Sequence, residues 1–310
     1  MRVVCSSFAR YTGYMKIEYP TLFLAIFCYC LFFASGIWLW PISPPAALVV
    51  MAVLAALQSS IAHECVHGHP FRNGLLNEAL AYLPLTLVYP YRRYKALHLK
   101  HHCNTHISDP FEDPESYYRA AWDFDALPRM VRGLLRMNNT LIGRLVIGPS
   151  LGAIGFFANE ARLILQGHDG VRRAWLHHLA GGMILAVLLA AMGIPWWTYL
   201  LFVCWPALAL IFLRSFAEHR WHESEEGRCI IIEKSPLSWL YLNNNLHLVH
   251  HLHPQVPWYE LPRLYAESRA EWLERSDGYV FSGYRALWRR WALRPKEPVA
   301  HPAWHRRRPE

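Results

Sequence analysis

Charged residues are sparse in this 310-residue chain, and several familiar motifs are missing from it. Only 17% of the residues are charged, and none of the seven cysteines forms a CxxC pair. The sequence therefore indicates neither a zinc ribbon nor a thioredoxin-type site. The net charge is +8, but no basic run is interleaved with a nucleic-acid-reading motif, so we expect no nucleic-acid partner. No internal repeat is visible.

Four stretches contain no charged residue and are long enough to cross a bilayer. About twenty residues of helix suffice for that. The first stretch is too long and has the wrong flanks for a cleaved signal peptide, so we interpret it as a retained anchor. The predicted membrane spans are 19–40, 44–62, 176–193 and 195–213.

The short connections inside each pair of spans carry no lysine or arginine. Every cationic residue must then lie on the other side of the membrane, which the positive-inside rule makes cytoplasmic. Tryptophan and tyrosine cluster at the two outer turns, as in an aromatic belt. We predict an all-α integral membrane protein of two helical hairpins with a helical cytoplasmic cap, and both termini cytoplasmic. The predicted boundaries are one domain at 1–293, a cap at 63–175 and 214–293, and a loose basic tail at 294–310.

Most of the chemistry predicted from the sequence rests on 18 histidines. Three short segments concentrate them: HECVH at 63–67, HLKHH at 98–102 and HLVHH at 247–251. Offsets of three and four residues place these imidazoles on one face of a helix. His219 follows the fourth span on the same predicted side of the membrane. The predicted metal ligands are His63, His67, His98, His101, His102, His219, His247, His250 and His251.

Nine imidazoles are too many for one zinc ion, which is commonly satisfied by four ligands. They suit two ions with positions left open, and the cap is predicted to hold this di-metal site. Imidazole binds iron, copper, zinc and nickel alike. We favour iron, because two redox-active ions can deliver electrons to O₂.

Metal-bound histidines usually donate their other N–H to a carboxylate or carbonyl group. The acidic loop 109–115 offers such acceptors, but it also fits a solvated loop with helix caps. Residues near the ligands that we predict as possible supporting groups are Glu64, His69, His106, Asp109, Glu218, His222 and His253.

The order HxxxH, HxxHH, HxxHH around two hairpins resembles the membrane fatty acid desaturase and hydroxylase superfamily. The resemblance covers about residues 20–260. It implies a histidine-ligated pair of Fe²⁺ ions and O₂-dependent desaturation, hydroxylation or related chemistry on a lipid-like chain. The eight histidines of the three segments match the boxes of that family, and His219 in Ala217-Glu218-His219 resembles its additional ligand.

The sequence departs from the acyl-CoA desaturases of this superfamily at Ser215, where they often carry asparagine. A fused cytochrome b5 module is also missing, so we expect electrons from a separate donor, such as a ferredoxin with its reductase. The segments HECVHGHP at 63–70 and DPES at 113–116 look most like a bacterial branch. That branch contains dihydrorhizobitoxine desaturase-like proteins and the fatty acid decarboxylase that forms terminal alkenes. The resemblance thus implies a bacterial inner-membrane enzyme, with desaturation favoured and decarboxylation or hydroxylation as alternatives.

Other interpretations remain open. The segment 63–67 is also HExxH, the motif of zinc metalloproteases, with Glu64 as the base. A metal transporter is a further alternative, although transporters place ligands near the bilayer midplane. Basic residues at 92–95 and 172–173 could dock an acidic donor, hold a carboxylate or contact lipid headgroups.

Overall fold

A computed structural model of the protein describes residues 17–304, and this part of the chain is predominantly helical. In chain order the helices are α1 (Tyr19–Ala34), α2 (Pro44–Val66), α3 (Gly74–Leu80), α4 (Tyr91–His102), α5 (Ala121–Asp125), α6 (Arg129–Asn138), α7 (Leu141–Val146), α8 (Gly148–Leu165), α9 (Asp169–Ala191), α10 (Trp196–Tyr199), α11 (Trp205–Glu218), α12 (Leu237–Leu240), α13 (His247–Leu252), α14 (Leu261–Glu267), α15 (Arg269–Arg275) and α16 (Tyr284–Trp291). Two π-helical segments (Ser35–Leu39 and Leu200–Cys204), a 3₁₀ turn (Glu226–Arg228) and two strands, β1 (Ile231–Ile232) and β2 (Val280–Phe281), complete the elements.

The described residues divide into two compact units. We call residues 17–96 and 149–211 the membrane unit, and residues 97–148 and 212–304 the histidine unit. Helices α4 and α11 each begin in the membrane unit and end in the histidine unit. The assignment of 1–293 to one domain stays a prediction.

The membrane unit supplies most of four helices that are long and apolar enough to cross a bilayer. The candidate spans are Tyr19–Leu39, Pro44–Val66, Asp169–Ala191 and Trp196–Glu218. These helices expose large apolar side chains, for example Phe23 at 63% and Met183 at 71%. Such exposure is unfavourable in water and is satisfied by lipid. The predicted four-span helical architecture is therefore confirmed.

Proline and glycine set the ends of these spans. Pro44 occupies the first turn of α2, where its missing N–H costs nothing. Gly193 adopts a left-handed φ of 69° after α9, and Pro195 then begins the next helical segment. The helix α9 starts seven residues before the predicted 176, because charge content marks only the apolar part of a helix whose first turns are polar. Helix α2 likewise continues past residue 62, because its last turn is polar and contains His63 and Glu64.

The histidine unit is organised around two short parallel strands. Ile231 pairs with Val280, and Ile232 pairs with Phe281. Side chains alternate between the two faces of a strand, so Ile230 and Ile232 enter one apolar cluster while Cys229 and Ile231 enter another. These two clusters include Phe216 and Ala217, which precede His219, and Leu248 and Val249 of α13, the helix that carries three histidines.

The C-terminal segment differs from the loose tail expected from residue 294. Residues 296–304 hydrogen-bond to earlier residues of the histidine unit: the Lys296 N–H donates to the Asn139 carbonyl, and Trp304 Nε1 donates to Asp109 Oδ2 at 2.7 Å. A high content of proline and arginine predicted disorder, but these specific contacts order the segment. Residues 305–310 of the predicted tail lie outside the described residues.

Candidate metal centre

Four buried histidines of the histidine unit direct their Nε2 atoms at one another. The contacts form a closed ring, with Nε2–Nε2 distances of 3.0 Å for His101–His219, 3.0 Å for His219–His247, 3.1 Å for His247–His251 and 3.3 Å for His251–His101. One ligand atom from each lies within 4.8 Å of the others. We call this set the four-histidine ring.

The size of the four-histidine ring fits one metal ion. From contacts of 3.0–3.3 Å, a central point would lie about 1.9 Å from each nitrogen in a tetrahedral arrangement and about 2.2 Å in a square one. Imidazole nitrogens typically bind zinc at about 2.0–2.1 Å, which falls between these limits. Distance alone therefore permits a transition metal and does not select its identity.

Hydrogen bonds at the Nδ1 atoms orient two imidazoles of the four-histidine ring. His101 Nδ1 donates to Asp113 Oδ1 at 2.7 Å, and His247 Nδ1 donates to Asn244 Oδ1 at 3.1 Å. With the proton on Nδ1, the Nε2 lone pair faces the centre, as a metal ligand requires. Several lone pairs that face one another at about 3 Å repel unless a cation lies between them. The donor set therefore fits a metal ion.

Burial supports the neutral form of most of these rings. It lowers the pKa of His219, His247 and His251 well below the ordinary value, and neighbouring histidines lower it further. His101 differs: burial lowers its pKa, but Glu115 and Asp113 outweigh that effect and raise it to about 9. These carboxylates thus provide negative charge beside the ring, which also favours a bound cation.

Secondary structure brings the four histidines together. His101 lies in the last turn of α4, and His219 directly follows α11. His247 and His251 are one helical turn apart on α13. Leu248 N–H donates to the Ile230 carbonyl, so the start of α13 is fixed to the chain that leads into β1.

Three more predicted ligands of the histidine unit lie close together. The ring centroids are 4.6 Å apart for His98–His102 and 4.9 Å apart for His102–His250. All three are buried. His98 Nδ1 donates to Glu115 Oε1 at 2.7 Å. The Glu115 side chain is 32% exposed. Its partial burial raises its pKa, but His98 and His101 outweigh that effect and lower the pKa to about 2, so Glu115 is an anionic acceptor.

The remaining pair belongs to the membrane unit. His63 and His67 lie one turn apart at the end of α2, with ring centroids 4.8 Å apart. Both are buried, as is Glu64, whose Oε1 is 3.6 Å from His63 Nδ1. The structure thus contains histidine clusters that could hold a di-metal site, as the sequence predicted.

The acidic loop contains the partners of the α4 histidines, although not at every predicted position. Asp113 and Glu115 bind His101 and His98 directly. Asp109 instead accepts from the N–H groups of Phe111 and Glu112. The alternative interpretation, a loop with backbone caps, therefore describes Asp109, whereas Asp113 and Glu115 support histidines.

Among the other residues predicted as supporting groups, Glu218 lies beside the four-histidine ring, whereas the flanking histidines contact other residues. Glu218 lies 3.6 Å from His247 Nδ1 and accepts from Asn244 Nδ2 at 2.8 Å. The flanking histidines have partners of their own, as in the pairs His69–Glu18, His106–Glu112, His222–Asp277 and His253–Trp272.

The sequence analysis did not predict two further supporting residues, Asn244 and Cys229. Asn244 connects His247 to Glu218, and Cys229 Sγ lies 3.6 Å from His219 Nδ1. Asn244 precedes its histidine by three residues within Asn243-Asn244-Asn245, and only that spacing could have indicated it. Cys229 is ten residues from His219 and reaches it through the isolated bridge between these two residues.

Two of the basic residues considered for donor docking are already paired within the membrane unit. Arg93 makes two hydrogen bonds to Glu160, at 2.7 and 2.8 Å, and Arg92 binds Glu78 at 2.5 Å. Glu160 is 1% exposed, so its pair with Arg93 is structural.

Comparison with known proteins agrees with this geometry. A family model described as fatty acid desaturase matches residues 38–283, and the chain belongs to that family. The chain is also 26% identical over 239 residues to a Picosynechococcus protein named sn-1 oleoyl-lipid 12-desaturase. That alignment covers 69% of this chain and 65% of the relative. The chain therefore spans just under two thirds of that relative's length. The expected superfamily is confirmed, and the four long apolar helices agree with a membrane protein.

Proposed function

We propose that this protein is a membrane-bound, O₂-dependent di-iron enzyme that removes hydrogen from an unactivated C–H bond of a fatty acid or similar lipid chain. Desaturation is the outcome we favour. The observation that carries the proposal is the four-histidine ring, whose inward-facing Nε2 atoms fit a metal ion in a chain of the desaturase family.

The proposed ligand set has two parts. The four-histidine ring holds the first ion. We propose that His98, His102 and His250 of the histidine unit are ligands of the second ion. His63 and His67 of the membrane unit are proposed as metal ligands because they match the first box of the family. Support for the second set comes from the three-histidine grouping in one unit, the one-turn pair in the other, and their match to the boxes of the family.

Bound iron would supply the O₂-activating redox chemistry, and the chain supplies position and protonation state. Formation of one double bond from two C–H bonds, with O₂, two electrons and two protons, yields two molecules of water. Two electrons must therefore come from outside the substrate, which requires a donor such as a ferredoxin with its reductase. Asp113, Glu115 and Asn244 hold the imidazoles with their outer protons in place.

The membrane location also bears on substrate and orientation. An apolar chain would enter from the bilayer between the candidate spans. The short connections at 41–43 and 192–195 lack cationic residues, which supports an active site and both termini on the cytoplasmic side of a bacterial inner membrane.

Hydroxylation and oxidative decarboxylation to a terminal alkene use the same centre and remain alternative outcomes. Residues 63–70 and 113–116 resemble the dihydrorhizobitoxine desaturase-like and alkene-forming branch. That resemblance supports decarboxylation as an alternative outcome. The Picosynechococcus relative, in contrast, is named as a lipid desaturase. Mass spectrometry of lipids and headspace gas from expressing cells distinguishes new unsaturation, a new hydroxyl group and a volatile 1-alkene.

An intramembrane zinc protease is the candidate from another class. The HExxH segment would provide its two histidines and Glu64. The four-histidine ring argues against it, because all four members lie outside residues 63–67.

Metal analysis combined with one variant tests the proposal. We expect about two iron atoms per chain, and we expect His101→Ala to lower the iron content and abolish lipid oxidation. His106→Ala is the matched control, because His106 is exposed and pairs with Glu112. One zinc per chain with peptide cleavage that survives His101→Ala would contradict the proposal and favour the protease.

A further inference from the structure

An open, basic cavity lies at the carboxyl ends of the two strands in the histidine unit. Its volume is about 700 Å³. Parallel strands end at the same edge, so the segments after β1 and β2 meet there and form its walls. The residues that matter for its chemistry are Lys234, Tyr284, Arg285, Arg289 and Arg290.

The charge of this cavity is uncompensated in its lining. Four of the lining residues are cationic and none is acidic. The adjacent carboxylate of Glu233 is directed elsewhere, since it accepts from Tyr265 at 2.6 Å and from Arg269 at 2.7 Å. Within residues 17–304, no ion pair of Arg285 or Arg289 with a carboxylate is observed, and both side chains are exposed. An acidic surface would complement this charge.

The shape and composition of the cavity favour a protein over a flat lipid surface. Arginine and tryptophan are enriched at the energetically important positions of protein interfaces. Helix α16, which carries the three arginines of the cavity, also carries Trp288, which is 47% exposed. A bilayer surface is flat, whereas a cavity of this volume accommodates protruding side chains of a partner.

A chain of short contacts connects the cavity with the four-histidine ring. Tyr284, on the cavity wall, packs against Tyr241 with ring centroids 5.5 Å apart. The Asn244 N–H then donates to the Tyr241 carbonyl at 3.0 Å, and Asn244 Oδ1 accepts from His247 Nδ1 at 3.1 Å. Tyr241 and Asn244 are both buried. Electrons pass more readily through packed and hydrogen-bonded groups than across empty space. This route therefore couples the cavity at the surface to the buried four-histidine ring.

We infer that this basic cavity is the docking surface for an acidic one-electron carrier protein that reduces the enzyme. The inference rests on the proposed function, which requires two external electrons per turnover. Each reduced carrier gives up one electron and leaves oxidised, so two docking events supply one turnover.

A binding measurement tests the docking surface without turnover. The probe is a purified [2Fe–2S] ferredoxin of plant type, titrated against the full-length protein in detergent at low and at high salt. We expect salt-sensitive binding, and we expect Arg289→Glu or Arg285→Glu to weaken it by about tenfold at low salt. Arg263→Glu is the control, because it reverses the same charge on α14, where Arg263 already pairs with Glu260 and Glu267.

The outcomes of this titration distinguish a ferredoxin-docking cavity from a lipid-binding one. Ferredoxin binding that is insensitive to salt, or that Arg263→Glu weakens as much as Arg289→Glu, would overturn the docking surface. Loss of binding to anionic lipid vesicles in Arg289→Glu, with ferredoxin binding unchanged, would also overturn it and assign the cavity to lipid. A chain that binds ferredoxin at this cavity but forms no oxidised lipid would instead count against the proposed function alone.

Discussion

Replacement of Asp113 by asparagine should weaken metal binding while the fold is kept. Asp113 Oδ1 accepts from His101 Nδ1 at 2.7 Å and from the Glu115 N–H at 2.9 Å, and its Oδ2 accepts from the Ser108 N–H at 2.8 Å. The carboxylate is 1% exposed, so water cannot replace a lost partner. It is an acceptor on both oxygens, whereas asparagine offers one acceptor and one donor group.

Either orientation of the asparagine amide leaves a conflict. If its NH₂ group faces His101, the imidazole must move its proton to Nε2, and the lone pair that faces the ring centre is lost. If the NH₂ group faces Ser108, two N–H groups oppose each other in a buried site. Loss of an outer hydrogen-bond partner typically lowers metal affinity about 10- to 100-fold, which corresponds to roughly 1.4–2.8 kcal/mol.

Competition with a chelator for Co²⁺ or Fe²⁺ measures this affinity directly. Asp109→Asn provides the matched control, because it makes the same change in the same loop at a residue that caps backbone N–H groups and binds Trp304. We expect the control to keep its metal affinity and to lose at most some thermal stability. An unchanged affinity in Asp113→Asn, or an equal loss in both variants, would refute the role of Asp113 as the acceptor that orients His101.

Two further predictions concern the membrane unit and are read from thermal unfolding in detergent. A Cβ on Gly181 would lie 2.8 Å from a backbone carbonyl oxygen, whereas the nearest atom to a Cβ on Gly182 is a flexible side-chain carbon at 3.8 Å. Gly181→Ala should therefore destabilise the protein by about 1–3 kcal/mol and Gly182→Ala by much less; equal effects would contradict the close packing of α9 against the segment 81–90. Glu160→Gln leaves the largely buried guanidinium of Arg93 without its carboxylate and should cost about 3–5 kcal/mol, whereas Glu78→Gln at a more exposed pair should cost under about 1 kcal/mol. A Glu160 variant as stable as the Glu78 variant would show that the buried pair is not needed.

The spans and the histidine segments were predictable because each rests on a local pattern. A bilayer demands a long uncharged stretch, and a helix places residues three or four apart on one face, so both are readable from neighbouring residues. The same locality explains the errors at the span ends. Helix α9 begins among charged residues at 169, and a criterion based on missing charge cannot detect a polar first turn.

The supporting groups were only partly predictable, because short polar side chains serve several purposes. Asp109 and Asp113 lie in one loop and have the same chemistry, yet only Asp113 reaches a histidine. The difference lies in the backbone course of residues 108–113, where Ser108 adopts a left-handed φ of 76°. Sequence spacing does not encode that turn strongly enough to separate the two carboxylates.

The contacts that hold His219 could not be predicted from the sequence, since they come from the far end of the chain. The Lys296 Nζ group donates to the Phe216 carbonyl at 2.7 Å and to the His219 carbonyl, at the end of α11. A donor there satisfies carbonyl groups that the end of a helix leaves unpaired. The next residue, Glu297, accepts from Tyr117 Oη at 2.7 Å, and Tyr117 Oη also lies 3.2 Å from the His219 carbonyl oxygen. The segment that contains Lys296 thus fixes the backbone of His219, a proposed metal ligand about 80 residues away, although its composition predicted disorder. No local sequence pattern predicts these long-range hydrogen bonds.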